Sequence, residues 1–187
     1  MWGDSDFTSD SGMLTSVWGP ALWHTLHTIS FNYPAQPDAE TQRRYRRFLR
    51  GLRHVLPCRH CRENYRNNAK AAGYGDAVFA SRDAFSRFIF RLHNHVNRML
   101  GKPEHSSYDK VRDQYENFRS RCLQDPTSCP PAAALTEQEV AEVSTATEKG
   151  CTEPLYGQKS KCLIRIVPKE SRHRTFAMDS ACRVRKK

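Results

Sequence analysis

Phe85, Phe88, Ile89, Leu92, Val96 and Met99 follow one another at three- and four-residue intervals, behind Ser81 and ahead of Gly101 and Pro103. Apolar residues at that spacing share one face of an α-helix, Ser is a favoured N-cap, and Gly followed by Pro stops a helix. Such a face needs other elements to cover it. Trp18, Leu22, Leu26 and Ile29 repeat the spacing, with Ser16 as the expected cap and Tyr33-Pro34 as the stop. Asp38 caps a second helix in which Tyr45, Phe48, Leu49, Leu52, Val55 and Leu56 form the apolar stripe and arginines fill the other face. Pro57 is expected at the first position of a third helix that Gly73 ends, and a fifth is expected from Ser107 to Arg121. Amphipathic helices with short connections bury their stripes most simply as a bundle. The fold class is therefore all-α: a four-helix bundle plus a short fifth helix, with a largely irregular C-terminal tail.

Charge separates the bundle from the C-terminal third of the chain. Residues 1 to 122 carry 19 basic and 12 acidic side chains, residues 123 to 150 carry 1 and 5, and residues 151 to 187 carry 10 and 3. The middle stretch opens with prolines and then uses small and acidic residues, as linkers do. The chain thus divides into four regions: a disordered N-terminal arm at 1–15, a folded domain at 16–122, an acidic linker at 123–150 and a basic, cysteine-containing tail at 151–187. Within the tail, Leu163 to Val167 could form one strand, and the terminal RVRKK reads as a solvated end. With only 38% apolar residues in a chain of 187, some of it is expected outside the packed bundle.

No apolar run approaches the ~18 residues of a membrane span. The start, MWGDSDFTSDSG, is acidic where a secretory signal is basic and then apolar, so export by a cleaved signal is not expected. Seven cysteines in that setting favour redox or metal chemistry over a secreted disulfide framework.

The sharpest local motif is Pro57-Cys58-Arg59-His60-Cys61 at a helix start. Unpaired N–H groups there, with Arg59 and Arg62 nearby, are expected to lower the thiol pKa. Three readings compete. Zinc needs a second pair of soft ligands, but six residues separate Cys122 from Cys129 and ten separate Cys151 from Cys162. A thioredoxin-like unit needs βαβ alternation, and none is visible. A purely structural disulfide at a helix start closes only a small loop. Beside this dithiol the sequence gathers Trp23 and His27 one turn apart on the first helix, and His93, Asn94 and Asn97 on the fourth. Asn is disfavoured inside helices, so the pair implies partners. An aromatic plane, imidazoles and amides near a dithiol are what a bundle needs to hold a flat heteroaromatic cofactor.

These segments resemble the Erv/ALR family of FAD-linked sulfhydryl oxidases. The resemblance rests on WGPxxWxxLH at 18–27, PCxxC at 57–61, HNxVN at 93–97 and LGKP at 100–103, in family order, and covers about residues 17 to 120. Cellular members carry a cysteine before HN and another after LGKP as a structural bridge. Here those places hold Phe90-Arg91-Leu92 and residues 104 to 107, so the chain looks closest to the short enzymes encoded by large DNA viruses of eukaryotes. The Trp usual on the fifth helix is replaced by Tyr115 or Tyr108.

The resemblance implies a bundle holding FAD without a Rossmann unit; the single Gly73-Tyr74-Gly75 lacks the rest of a dinucleotide fingerprint. It implies that Cys61 is the flavin-proximal thiol and Cys58 the exposed partner exchanging with incoming thiols. Gly19, Trp23, His27, His93, Asn94, Val96, Asn97, Lys102 and Tyr115 would line FAD, with Lys102 at phosphate. The implied reaction oxidises protein dithiols, or a thiol–disulfide carrier, and passes electrons through FAD to O2 to give hydrogen peroxide. A homodimer through the first two helices is implied, as is work in host cytoplasm or in the virion. Cys122 with Cys129 is the candidate shuttle pair, a structural clasp being the alternative; Cys151, Cys162 and Cys182 receive no role. The competing function is a zinc-stabilised basic module whose Arg43, Arg44, Arg46, Arg47, Arg50 and Arg53 meet nucleic acid, although such a run is more often a solvated face. A membrane partner is not expected, nor is nucleic acid on the oxidase reading.

Overall fold

Each helix of the bundle starts or stops where local chemistry dictates. The computed structural model describes residues 10–121, 153–155, 163–164 and 176–177, and contains α1 (Thr15–Asn32), α2 (Ala39–Val55), α3 (Arg59–Ala71), a 3-10 turn (Asp76–Phe79), α4 (Arg82–Met99) and α5 (Tyr108–Glu116). Asp38 Oδ1 accepts the Thr41 N–H at 2.6 Å and Ser81 Oγ the Ala84 N–H at 3.1 Å, so both expected caps operate. Gly73 and Gly101 take φ of 86° and 63° just beyond α3 and α4, a backbone region that side chains with a Cβ resist.

α1 packs on α4, α2 on α3, and α3 on α4, while the 3-10 turn rests against α2 and α4. Between them lies a core of Leu26, Leu49, Leu52, Phe85, Phe88 and Ile89, all buried. Tyr33 locks one end: its fully buried hydroxyl donates to the Phe79 carbonyl at 2.9 Å, and its own carbonyl accepts from Arg82 Nε. Phe48 and Val55 lie at the edges of the α2 stripe and stay 39% and 70% exposed.

Four expectations are corrected. α1 begins at Thr15 with Leu14 as an uncapped N-cap, so Ser16 lies inside the helix; Trp18 Nε1 instead anchors this turn by donating to the Met13 carbonyl at 3.0 Å. Pro57 is not the first residue of α3, because Cys58 is the N-cap and the Pro57 carbonyl accepts the Met13 N–H. α5 stops at Glu116, where the Arg119 N–H turns back to the Glu116 carbonyl. The arm is not disordered throughout: Ser11 and Met13 form backbone hydrogen bonds with Arg59 and Pro57 on either side of Cys58, and Asp10 forms an ion pair with Arg62.

Beyond the helices come β1 (Ser120–Arg121) paired antiparallel with β2 (Glu153–Pro154), and β3 (Leu163–Ile164) paired antiparallel with β4 (Phe176–Ala177). The strand expected near Leu163 therefore has a two-residue partner that the sequence pattern does not announce. The described residues divide into two units, 10–115 with 163–164 and 176–177, and 116–121 with 153–155. Residues 1–9, the acidic linker and Cys122, Cys129, Cys151, Cys162 and Cys182 lie outside the described residues. Among the described residues no helix is long and apolar enough to cross a membrane.

Candidate active site

Cys58 ends the α2–α3 connection and begins α3. As N-cap in extended conformation, its Sγ accepts the Cys61 N–H at 3.2 Å. Both sulfurs are unbridged and part-buried. Burial, followed by the hydrogen bond and charge of Cys58, pushes the Cys61 thiol up to about 12, against the opposing pull of its backbone bond and Arg62. The expected low pKa at this sulfur is thus overturned, because desolvation outweighs the helix-start field.

Both cysteines open onto a cavity of about 610 Å³. α1 supplies Gly19, Trp23 and His27 at four-residue intervals, one helical face. α3 continues from Cys61 through Asn64, Tyr65 and Asn68; α4 gives His93, Val96 and Asn97; Lys102, His105 and Tyr115 are also part of the lining. Every expected site residue of this unit lines the cavity except Asn94.

Asn94 has another task. Its Nδ2 donates to the His105 carbonyl at 3.0 Å and its Oδ1 accepts the His105 N–H at 2.8 Å. Asn97 Nδ2 donates to the Pro103 carbonyl at 3.3 Å, while its own carbonyl accepts the Lys102 N–H at 2.8 Å. The two mid-helix asparagines thus find the loop after α4 as their partner, and they hold Lys102 and His105 at the cavity.

Three imidazoles meet inside. His27 Nε2 and His105 Nε2 lie 3.1 and 3.2 Å from His93 Nδ1. Trp23 stacks on the His93 ring at 4.1 Å between centroids and 7° between planes, and His27 lies over Tyr115 at 5.1 Å. Burial, then the neighbouring charges of His105 and His24, lowers His27 to about 3; burial, then His27, His105 and Lys102, lowers His93 to about 2. Both are neutral at physiological pH. The facing nitrogens of the three lie within 4.8 Å of one another, close enough for one metal ion to reach, and among the described residues this is the only such group. Neither Cys58 nor Cys61 belongs to it, so among the described residues the zinc reading of the CxxC finds no further ligands.

Sequence reasoning missed His105 and the α3 face. His105 carried no signal of its own, since its place depends on the clamp from Asn94. Asn64, Tyr65 and Asn68 follow Cys61 at helical spacing, a signal that was there to be used.

The sequence pattern of the Erv1 / Alr family matches residues 20–116. A probable FAD-linked sulfhydryl oxidase of Acanthamoeba polyphaga mimivirus, R368, is 35% identical over 90 residues, which are 48% of this chain and 63% of that protein. The FAD-linked sulfhydryl oxidase ERV1 of Oryza sativa subsp. japonica is 34% identical over 85 residues, 46% of this chain and 42% of that protein. The chain thus spans less than two thirds of the length of each. The crystal structure of the FAD-binding domain of Erv1 from Saccharomyces cerevisiae superimposes with a TM-score of 0.50 at 25% identity, covering 55% of this chain and 94% of that one.

Proposed function

The chain belongs to the Erv1/Alr family, and from that membership and the cavity beside Cys61 we propose that it is an FAD-dependent sulfhydryl oxidase of protein dithiols. The observation that carries the reading is that the Cys58–Cys61 turn opens into the same hollow as Trp23, His27, His93 and Lys102.

The residues fit such a cofactor. The volume, about 610 Å³, lies within the ~300–1,000 Å³ usual for ligand pockets. Among the described residues His27 Nδ1 and Tyr65 OH are buried without a hydrogen-bond partner, and both residues line the hollow, so a heteroaromatic edge would satisfy groups the protein leaves unpaired. A Cβ at Gly19 would meet nothing within 4 Å, so the protein's own packing does not demand glycine there; glycine keeps that wall clear. Trp23, His93 and Tyr115 line it with aromatic rings, and Lys102 is the cationic side chain suited to phosphate.

When bound, FAD would supply a two-electron acceptor for the dithiol, with O2 as the final oxidant and hydrogen peroxide as its product. The protein's own work precedes this. A substrate thiolate attacks Cys58 Sγ of the Cys58–Cys61 disulfide, a mixed disulfide forms, and Cys61 leaves as thiolate. A second substrate thiolate attacks the substrate sulfur, closing the substrate disulfide and releasing Cys58. The raised pKa of Cys61 opposes its departure as thiolate, and its own backbone bond and Arg62 are the groups that work in the other direction.

On this reading Cys122 and Cys129 relay electrons from protein substrates, or clasp the tail. The exposed Val17, Phe48 and Val55 on α1 and α2 support a homodimer through those helices, and viral relatives support work in host cytoplasm or virion. The test is oxygen consumption with dithiothreitol by yellow, flavin-loaded protein. Wild type should consume one O2 per dithiol, and Cys61→Ser should retain flavin absorbance yet fall to background. A colourless wild-type protein, or undiminished turnover in Cys61→Ser, would end the proposal.

A further inference from the structure

The backbone edge of the redox turn is already occupied. Gly12 faces Cys58 in an isolated antiparallel bridge; the Arg59 N–H donates to the Ser11 carbonyl at 3.1 Å and the Met13 N–H to the Pro57 carbonyl at 2.5 Å. These bonds flank the Gly12/Cys58 pair, which makes it a non-hydrogen-bonded pair, the kind whose Cα atoms sit about 4.5 Å apart. That separation falls at the short end of the ~4.4–6.8 Å that disulfides span.

Residues 11 to 13 fill the edge without exploiting it. Gly12 has φ of 93°, and a Cβ there would fall 2.4 Å from the Pro57 carbonyl oxygen and 2.9 Å from Cys58 Cα. The register opposite the attackable sulfur therefore carries no side chain. Nor is the strap anchored by burial, for residues 10 to 14 are all exposed, Met13 at 70% and Leu14 at 74%. It is held by the two backbone bonds, by Trp18 Nε1 on the Met13 carbonyl, and by Arg62. The Arg62 guanidinium donates to the Leu56 carbonyl at 2.9 Å and to Asp10 Oδ1 at 2.6 Å, and the Asp10 side chain is 78% exposed. Backbone pairing of this kind is independent of sequence, so any extended segment can replace it.

We propose that the edge formed by residues 57 to 59 is the docking rung for the substrate polypeptide, an extended, cysteine-bearing segment pairing there in place of residues 11 to 13 with its cysteine opposite Cys58. In ordinary extended backbone the incoming residue avoids the positive φ that Gly12 uses, and its sulfur can approach Cys58 Sγ. The exchange balances: the substrate thiol gives its proton to solvent, its sulfur bonds to Cys58, and the Cys58–Cys61 bond breaks with the electron pair leaving on Cys61. This rests on the oxidase reading.

The test uses flavin-loaded full chain, dithiothreitol, and two reduced dithiol peptides that are identical save for N-methylation of the residue after the first cysteine. The methyl group removes the donor that would bond to the Pro57 carbonyl, and KM for that peptide should rise about tenfold at unchanged kcat, the effect of one lost hydrogen bond. Gly12→Val, whose Cβ at the present φ would fall 2.4 Å from the Pro57 carbonyl oxygen and so weakens the strap, should lower KM for the unmodified peptide several-fold and leave dithiothreitol turnover unchanged. Asp10→Ser should do the same to a smaller extent. Equal KM for the two peptides while dithiothreitol is oxidised overturns the docking and leaves the oxidase standing. So does a KM raised by Gly12→Val, which would make the strap part of the binding surface. Absence of dithiothreitol turnover overturns both.

Discussion

His27 is 2% exposed, its Nδ1 has no partner among the described residues, and burial holds its folded pKa near 3 against an ordinary 6.5. Between those values the unfolded chain binds a proton that the folded chain refuses, so stability is full above pH 6.5 and declines as pH falls toward 3. The slope from one such histidine approaches ~1.4 kcal/mol per pH unit. Urea midpoints of flavin-free protein should fall steadily from pH 7 to pH 4, and His27→Gln should flatten that fall; an equally steep fall in the variant would place the acid sensitivity elsewhere. Residue types and spacing were enough to nominate His27, Trp23 and His93. They could not reveal that Asn94 clamps the His105 backbone, because that contact depends on how the loop returns after α4. They also misjudged Cys61, since a helix-start field can be read from sequence while the depth of a sulfur cannot.

Helix boundaries were legible wherever the signal was local. Asp38, Ser81, Gly73 and Gly101 each act through their own backbone neighbours and stand where expected. Ser16 and Pro57 failed because the start of α1 and the entry to α3 are tied to each other through Met13, which joins its carbonyl to Trp18 and its N–H to Pro57. No pattern within either helix contains that link. The two serines should therefore differ measurably. Ser81→Ala removes a working cap and should cost about 1 kcal/mol in urea unfolding. Ser16→Ala removes no cap bond and should stay within a few tenths of a kcal/mol, as exposed substitutions do. Equal losses in the two variants would mean that α1 starts at Ser16 after all.

At the scale of the molecule, the all-α bundle was readable because apolar stripes at helical spacing admit few other packings. The tail was not, because its acidic and basic halves offer no stripe to pack, and the two-residue partner of Leu163–Ile164 comes from residues without a strand pattern. On the proposed oxidase reading, function at this scale turns on whether electrons enter at Cys58 directly or arrive through Cys122 and Cys129. A relay and a clasp make opposite demands. A relay shortens the path for a bulky protein but offers nothing to a small dithiol that reaches Cys58 unaided. Replacing both cysteines with Ser should then lower kcat for a reduced, unfolded protein while leaving dithiothreitol turnover and the thermal midpoint unchanged. A clasp closes a loop in the unfolded chain, and its removal should lower the thermal midpoint while protein and small-dithiol turnover stay in proportion. Oxygen consumption with both substrates, beside a melting curve, separates the two, and unchanged protein turnover at an unchanged midpoint would remove both roles from the pair.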